Sequence, residues 1–336
     1  MKKLQSLALA GAMTAALAAP ALADDKMTDI TVAVGAPTLT FAPVFVGKEA
    51  GIFAKHGINV TVRTVDGAAT VNAILSGSVE FALPAGNTLL RAAAKGQRVL
   101  IISTIVDKPM FELVARKDFM AAHNLTEKSS LADKGKALKG QTVAMQGVGS
   151  VIDTLVRVVA RKGGLDPDKD MNITPMDPPA MYPALKNKQV VAYATSLPFT
   201  TQAVLGGDAD ELVSGPLGDV PDYLPYAYVV VATRAAYCQK SPDICRAVAE
   251  SFQESTQLIR QHPDQALPYL KKTFPQMDTH LLEEAWKVAS QATAADIHVS
   301  DKALLNARQF DIDSGISKEG DEIKDLAGFY TNEYLK

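Results

Sequence analysis

The feature that most constrains this chain is an alternation of short β-branched runs with helix-like segments. It runs once from Ile30 to about Thr104 and restarts after Gly140. In the first pass, residues 29–34, 58–63, 79–83 and 99–103 read as strands rich in Val, Ile and Thr. Residues 41–53, 67–75 and 87–95 read as the helices between them. In the second pass, 142–145, 172–176 and 190–194 read as strands, and 150–162 and 180–186 as helices. Pro175 makes 172–176 a poor strand, because proline cannot donate to a ladder. Strands joined by short helices imply parallel pairing through right-handed crossovers. The chain therefore reads as two α/β halves in tandem.

Two further apolar runs, 111–115 and 226–232, break the alternation and read as the segments where the chain crosses between halves. The tail from Ser241 is mostly helical, at 244–261, 266–273 and 281–293, with Leu281, Leu282, Ala285, Trp286 and Ala289 on a 3.6-residue repeat. Trp286 reads as the core anchor of that last helix. The expected division is one lobe from 24–109 plus 226–336, and a second from 110–225.

The N-terminus places the chain outside the cytoplasm. Lys2 and Lys3 precede an apolar stretch to Leu17, followed by Pro20, Ala21-Leu22-Ala23 and then Asp24-Asp25. This is the layout of a signal peptide cleaved near Ala23, and its apolar stretch is too short to serve as an anchor. A periplasmic location is expected. The formal charge is −3, and loss of Lys2 and Lys3 with the leader makes the chain more acidic. With no basic run visible, neither nucleic acid nor an anionic membrane suits it as a partner. Cys238 and Cys245 flank Ser241-Pro242-Asp243. An even count in an exported protein favours one disulfide, with two buried free thiols as the alternative. Two cysteines without a nearby histidine do not make a zinc set, and no metal or cofactor is expected.

The loops after the strands share a composition. They contain Thr38, Thr40 and Phe41; Gly67, Ala68 and Thr70; Asn87; Gln146, Gly149 and Ser150; and Thr195, Ser196 and Phe199. In open α/β sheets, ligands sit at the carboxyl ends of strands beside helix N-termini. Small residues allow close backbone approach, hydroxyls cap helices, and free N–H groups at a helix start attract anions. Phe41 and Phe199 could add an apolar wall. Taken singly, each loop is also ordinary connection chemistry.

Several runs carry a family resemblance. Ile30–Val34 with Ala42-Pro43, Gly47-Lys48-Glu49-Ala50-Gly51-Ile52-Phe53 and His56-Gly57-Ile58 is similar to the opening of periplasmic solute-binding proteins of the sulfonate, nitrate and pyrimidine-precursor importer group. Asn72-Ala-Ile-Leu-Ser-Gly77, Val79-Glu-Phe-Ala82 and the stretch from Leu138 to Ser150 resemble later parts of that pattern. The chain departs from it at 192–199. The resemblance implies a two-lobed type II periplasmic-binding-protein clamshell, with mixed sheets flanked by helices and a helical C-terminal tail. It also implies a ligand held between the lobes at Thr38, Thr40, Gly67, Ala68, Asn87, Gln146, Gly149, Ser150, Thr195 and Ser196, to which the loop reading adds Phe41, Thr70 and Phe199.

A monomeric, non-enzymatic receptor follows, one that delivers a small organic anion to the membrane permease of an ABC importer. The anion would be an aliphatic or aromatic sulfonate or carboxylate. A pyrimidine or thiamin-precursor protein of the same fold, binding or biosynthetic, is the alternative, as is a sensor subunit that presents ligand to a receptor. No G-x-S-x-G, H-E-x-x-H or Walker A run is present, and Gly147-Val148-Gly149 lacks the third glycine of a dinucleotide fingerprint.

Overall fold

The computed structural model describes residues 27–65, 69–318, 320, 323 and 325–335. The leader read at 1–23 and the loop residues Gly67 and Ala68 lie outside the described residues. The first half runs β1 (Thr28–Val34), α1 (Ala42–Glu49), α2 (Ile52–Lys55), β2 (Ile58–Thr64), α3 (Ala69–Ser76), β3 (Phe81–Ala82), α4 (Gly86–Ala94) and β4 (Leu100–Val106). The single helix expected over 41–53 is two, because Gly51 adopts φ +73 and breaks it. The second half runs β5 (Phe111–Arg116), α5 (Lys117–Ala122), α6 (Leu131–Ala137), β6 (Thr142–Met145), α7 (Val151–Lys162), β7 (Asn172–Pro175), α8 (Pro178–Lys186), β8 (Ala192–Ser196), α9 (Phe199–Leu205) and β9 (Ala209–Ser214). The chain ends with β10 (Val229–Thr233), α10 (Ala235–Lys240), α11 (Pro242–Gln261), α12 (Pro263–Thr273), α13 (Thr279–Ala289) and α14 (Asp301–Ser314).

Two five-stranded sheets result, in the orders β2-β1-β3-β10-β4 and β7-β6-β8-β5-β9. Both are mixed. Parallel pairs join β1 to β2 and β3, and β6 to β7 and β8. The exceptions are the two crossing strands. β10 lies antiparallel between β3 and β4, and β5 lies antiparallel between β8 and β9. Each occupies the fourth place of its sheet, flanked by strands on both sides. That is why 111–115 and 229–233 read as unbroken apolar runs: every residue in them apart from Glu112 and Thr233 is apolar, and all are buried. β7 survives Pro175 because it is an edge strand, paired with β6 alone.

Helix α14 packs against α4 and α7. Its buried stripe, Ala303, Leu304, Ala307, Phe310, Asp311 and Ser314, follows helical spacing and is unusual in containing a carboxylate. The Phe310 ring stacks on Phe111 at 5.9 Å and meets Tyr223 and Tyr226 edge-on at 4.7 and 5.7 Å. An aromatic cluster therefore sits where both crossovers pass. Earlier in the tail, Cys238 of α10 and Cys245 of α11 form a disulfide across Ser241, with both residues buried. Trp286 of α13 is buried, and its indole N–H donates to the Pro263 carbonyl at 2.7 Å.

Candidate functional site

A cavity of about 540 Å³ opens between the carboxyl ends of the two sheets. The first sheet contributes Gly35 and Phe41 after β1, Thr70 at the start of α3, Pro84 and Ala85 after β3, and Thr88, Arg91 and Lys95 along α4. The second contributes the loop from Gly147 to Val151, whose tip residue Val148 is 75% exposed. A larger hollow of about 900 Å³ lies across α4, against α14 and Ile316. Its described lining comes from α4 and the residues just after it, α14 and the segment after α14, and it shares Arg91 and Lys95 with the first cavity.

Phe41, Thr70, Gly149 and Ser150 are the anticipated residues that the fold brings together around the cavity. The others have different placements. Thr195 is buried and its hydroxyl donates to Gln146 Oε1 at 2.9 Å, so these two side chains satisfy each other. Ser196 is buried and hydrogen-bonded to the Tyr228 hydroxyl. Phe199 is half-buried, and its carbonyl accepts the Tyr193 hydroxyl at 2.7 Å. The Thr38 carbonyl accepts the Phe41 N–H at 3.1 Å. Thr40 is buried, with a hydroxyl that has no partner among the described residues. Asn87 is fully buried and faces α14: its Nδ2 donates to Asp311 Oδ1 at 2.9 Å.

Anion binding by free helix N-termini was the expectation, and here much of that donor capacity is already used. Ser150 Oγ caps α7, accepting from the N–H groups of Ile152 and Asp153 at 3.2 Å each. The Gly149 N–H donates to Asp153 Oδ2 at 2.8 Å, and the other Asp153 oxygen accepts from Arg157 Nε at 2.8 Å. At α4, the Gly86 N–H donates to the Ala227 carbonyl at 2.9 Å, and the Thr88 N–H to Asn87 Oδ1 at 2.9 Å.

Among the described lining residues the charge comes instead from two that loop composition did not reveal, Arg91 and Lys95. They share a helix face with Thr88 and Ala92, at steps of three, four and seven residues. That periodicity, counted from Thr88, was the available signal. Arg91 Nη1 forms an ion pair with buried Asp311 of α14. Arg91 Nη2 points across the cavity to the Gly149 carbonyl at 3.3 Å and back to Thr88 Oγ1 at 3.5 Å. Among the described lining residues there is no carboxylate, histidine or cysteine. Beside this network Tyr226 is completely buried. Desolvation first, and Asp311 second, hold its phenol well above the ordinary range. Among the described residues no group of His, Cys, Asp and Glu side chains could hold a metal ion, and no helix is long and apolar enough to cross a membrane.

Paired mixed sheets with a cavity at their carboxyl ends define the type II periplasmic-binding-protein clamshell. The fold is similar to the ligand-binding component of an ABC-type import system from Staphylococcus aureus, solved with zinc bound (TM-score 0.71, 12% identity, 92% of this chain and 98% of that one). It is equally similar to the periplasmic aliphatic sulphonate binding protein SsuA from Escherichia coli (TM-score 0.71, 18% identity, 92% and 99%). The chain belongs to the NMT1-like family, whose model matches residues 23–267. Over 153 residues it is 27% identical to YtlA of Bacillus subtilis (strain 168), named as a candidate binding protein. That match covers 45% of this chain and 42% of YtlA, so the chain spans about two fifths of the curated relative's length.

Proposed function

We propose that this protein is an extracytoplasmic solute-binding protein that captures a small organic anion between its lobes and hands it to an ABC importer. The observation that carries the reading is the cavity between the two sheets, lined by Arg91 and Lys95 with no carboxylate among the described lining residues. Opposite charge in a partly enclosed site favours an anion. Phe41, Leu83, Pro84 and Val148 offer apolar contact, which suits an organic body better than a bare inorganic ion. Family membership and the resemblance to import-system components support delivery to a permease. Phe41, Thr70, Gly149 and Ser150 are assigned to the ligand, and the lobes to 24–109 plus 226–336 and 110–225. We read the role as binding rather than turnover, in keeping with the fold it shares with ligand-binding import components. The disulfide suits a protein that works in the periplasm after loss of its leader, and a monomer is proposed.

The test is a thermal-shift screen of the mature protein after unfolding and refolding to strip carried-over ligand. The panel is alkanesulfonates, benzenesulfonate, benzoate, nitrate, aminopyrimidines and amino acids. A ligand at 100 times its Kd adds about 2.7 kcal/mol of stability, enough for a clear shift. A selective response to sulfonates or carboxylates is expected. A response to aminopyrimidines alone, or to no anion, refutes the assignment.

A further inference from the structure

Among the described lining residues two side chains carry charge, and they are held differently. Lys95, at the end of α4, is exposed. The Arg91 side chain is 26% exposed, and one edge of its guanidinium is fixed by Asp311, whose side chain is 3% exposed. Asp311 is itself over-determined: besides Arg91 it accepts Asn87 Nδ2 at 2.9 Å and Thr154 Oγ1 at 3.3 Å. Three donors from α4 and α7 therefore hold one carboxylate from α14.

The other edge of the guanidinium is less committed. Its contacts to the Gly149 carbonyl and to Thr88 Oγ1, at 3.3 and 3.5 Å, are long for a cationic donor. A sulfonate or carboxylate oxygen would settle at about 2.7–2.9 Å and displace them with stronger, charge-assisted bonds. The backbone donors that could compete for the anion, at Gly149, Ile152 and Asp153, already have partners. Asp311 also cancels the charge of Arg91, leaving Lys95 as the net positive charge of the described lining. One negative charge balances the described lining, whereas a second would stand uncompensated beside its partly buried face.

We infer that Arg91 reads the ligand's anionic group, that Asp311 is its positioning residue, and that the site selects a monoanion over a dianion. This rests on the cavity being an organic-anion site. The assignment makes α14 part of ligand recognition, although that helix lies beyond the segment 23–267 matched by the family model.

The experiment measures calorimetric affinities for methanesulfonate, benzenesulfonate, benzoate and sulfate in wild type, R91K, R91Q and D311N. Near-UV circular dichroism checks each fold. Wild type is expected to bind at least one monoanion and to disfavour sulfate. R91Q loses affinity ~10- to 100-fold, the range for a hydrogen bond to a charged group, and R91K, without the planar fork, loses about tenfold. D311N raises the net charge of the site by one, so the ratio of monoanion to sulfate affinity falls about tenfold or more. A purely structural role for Asp311 would weaken all four probes alike. If wild type binds none of the probes, the anion-site reading fails and this inference with it. If wild type binds a monoanion and folded R91K or R91Q binds it equally, the inference alone is overturned. An unchanged monoanion-to-sulfate ratio in D311N likewise overturns the role of Asp311.

Discussion

The second lobe contains a titrating group whose effect on stability can be worked through. Glu211 sits on β9 opposite Val114 of β5 and is half-buried. Burial, reinforced by the carboxylates of Glu112, Glu127 and Asp219, pushes its carboxyl up to about 7 from 4.5. Glu112 is more deeply buried and is also raised, although it accepts the Thr200 and Ser214 hydroxyls at 2.6 and 2.8 Å. Nearby Lys134 serves Glu127 and Asp219: its ammonium donates to the Glu127 carbonyl at 2.6 Å and lies 3.9 Å from Asp219. Between pH 4.5 and about 7, the folded chain keeps a proton on Glu211 that the unfolded chain has released. The folded state then binds more protons, so stability is fullest below pH 4.5 and falls as pH rises through 7. At 1.36 kcal/mol per pH unit, the whole interval corresponds to roughly 3.4 kcal/mol. Water reaching the half-buried carboxyl screens it, leaving about half of that. Glu211→Gln keeps the shape and removes the titration. Urea unfolding at pH 5, 6, 7 and 8 should show wild type losing about 1 kcal/mol relative to the variant between pH 5 and 8, the remainder of the effect lying below pH 5. Parallel stability curves, or a variant less stable than wild type at pH 8, would refute the electrostatic account.

Three further outcomes are expected. Reducing Cys238–Cys245, whose sequence separation is 7, should cost about 2.5 kcal/mol on the loop-entropy relation. A Cys238→Ser/Cys245→Ser double variant that melts like wild type would argue against it. Ser150→Ala removes the cap from the N–H groups of Ile152 and Asp153 and should lower stability by about 1 kcal/mol, read as a lower urea midpoint. An unchanged midpoint would mean water replaces the hydroxyl. Gly135→Ala should cost about 3 kcal/mol or more, because the new Cβ would lie 1.9 Å from the Val159 carbonyl and 2.8 Å from the Gly163 nitrogen. A soluble variant with wild-type melting would show that α6 can move off α7.

How much was legible depended on whether a feature is local. β1, β2, β4, β6 and β8 are readable because Val, Ile and Thr recur between glycine-marked turns. β9 and α14 escaped notice. Ala-Asp-Glu-Leu-Val-Ser carries two acids into a strand, and α14 places Asp311 on its buried stripe, which blurs the apolar period. Tertiary partners decide both cases: β5 completes the pairing of β9, while Asn87, Arg91 and Thr154 satisfy Asp311. The site divides the same way. Phe41, Thr70, Gly149 and Ser150 follow from strand-end position alone. That Gln146 and Thr195 would bond each other, or that Asn87 would face α14 at a separation of 224 residues, depends on pairings no local pattern encodes.

The position of α14 also constrains how the lobes can move. It touches α4 through Asp311, and α7 through Thr154 and through Arg161, whose Nε donates to the Ser314 carbonyl at 3.0 Å. It meets both crossovers as well, through Phe310 on Phe111 and Tyr226, and through Asp313 accepting the Tyr223 hydroxyl at 2.7 Å. Contacts close to a rotation axis change least, so a closing motion that keeps these bonds must pivot near α14. Val148, 75% exposed, sits on the loop that faces α4 across the cavity. Hydrogen exchange separates the two regions, because local opening reports how many packed contacts must break. Amides of 303–314 should be among the slowest in the chain and stay slow when ligand binds. Those of 147–149 should exchange fast alone and slow down with ligand. Fast exchange along α14, or protection gained there rather than in the loop, would place the pivot elsewhere.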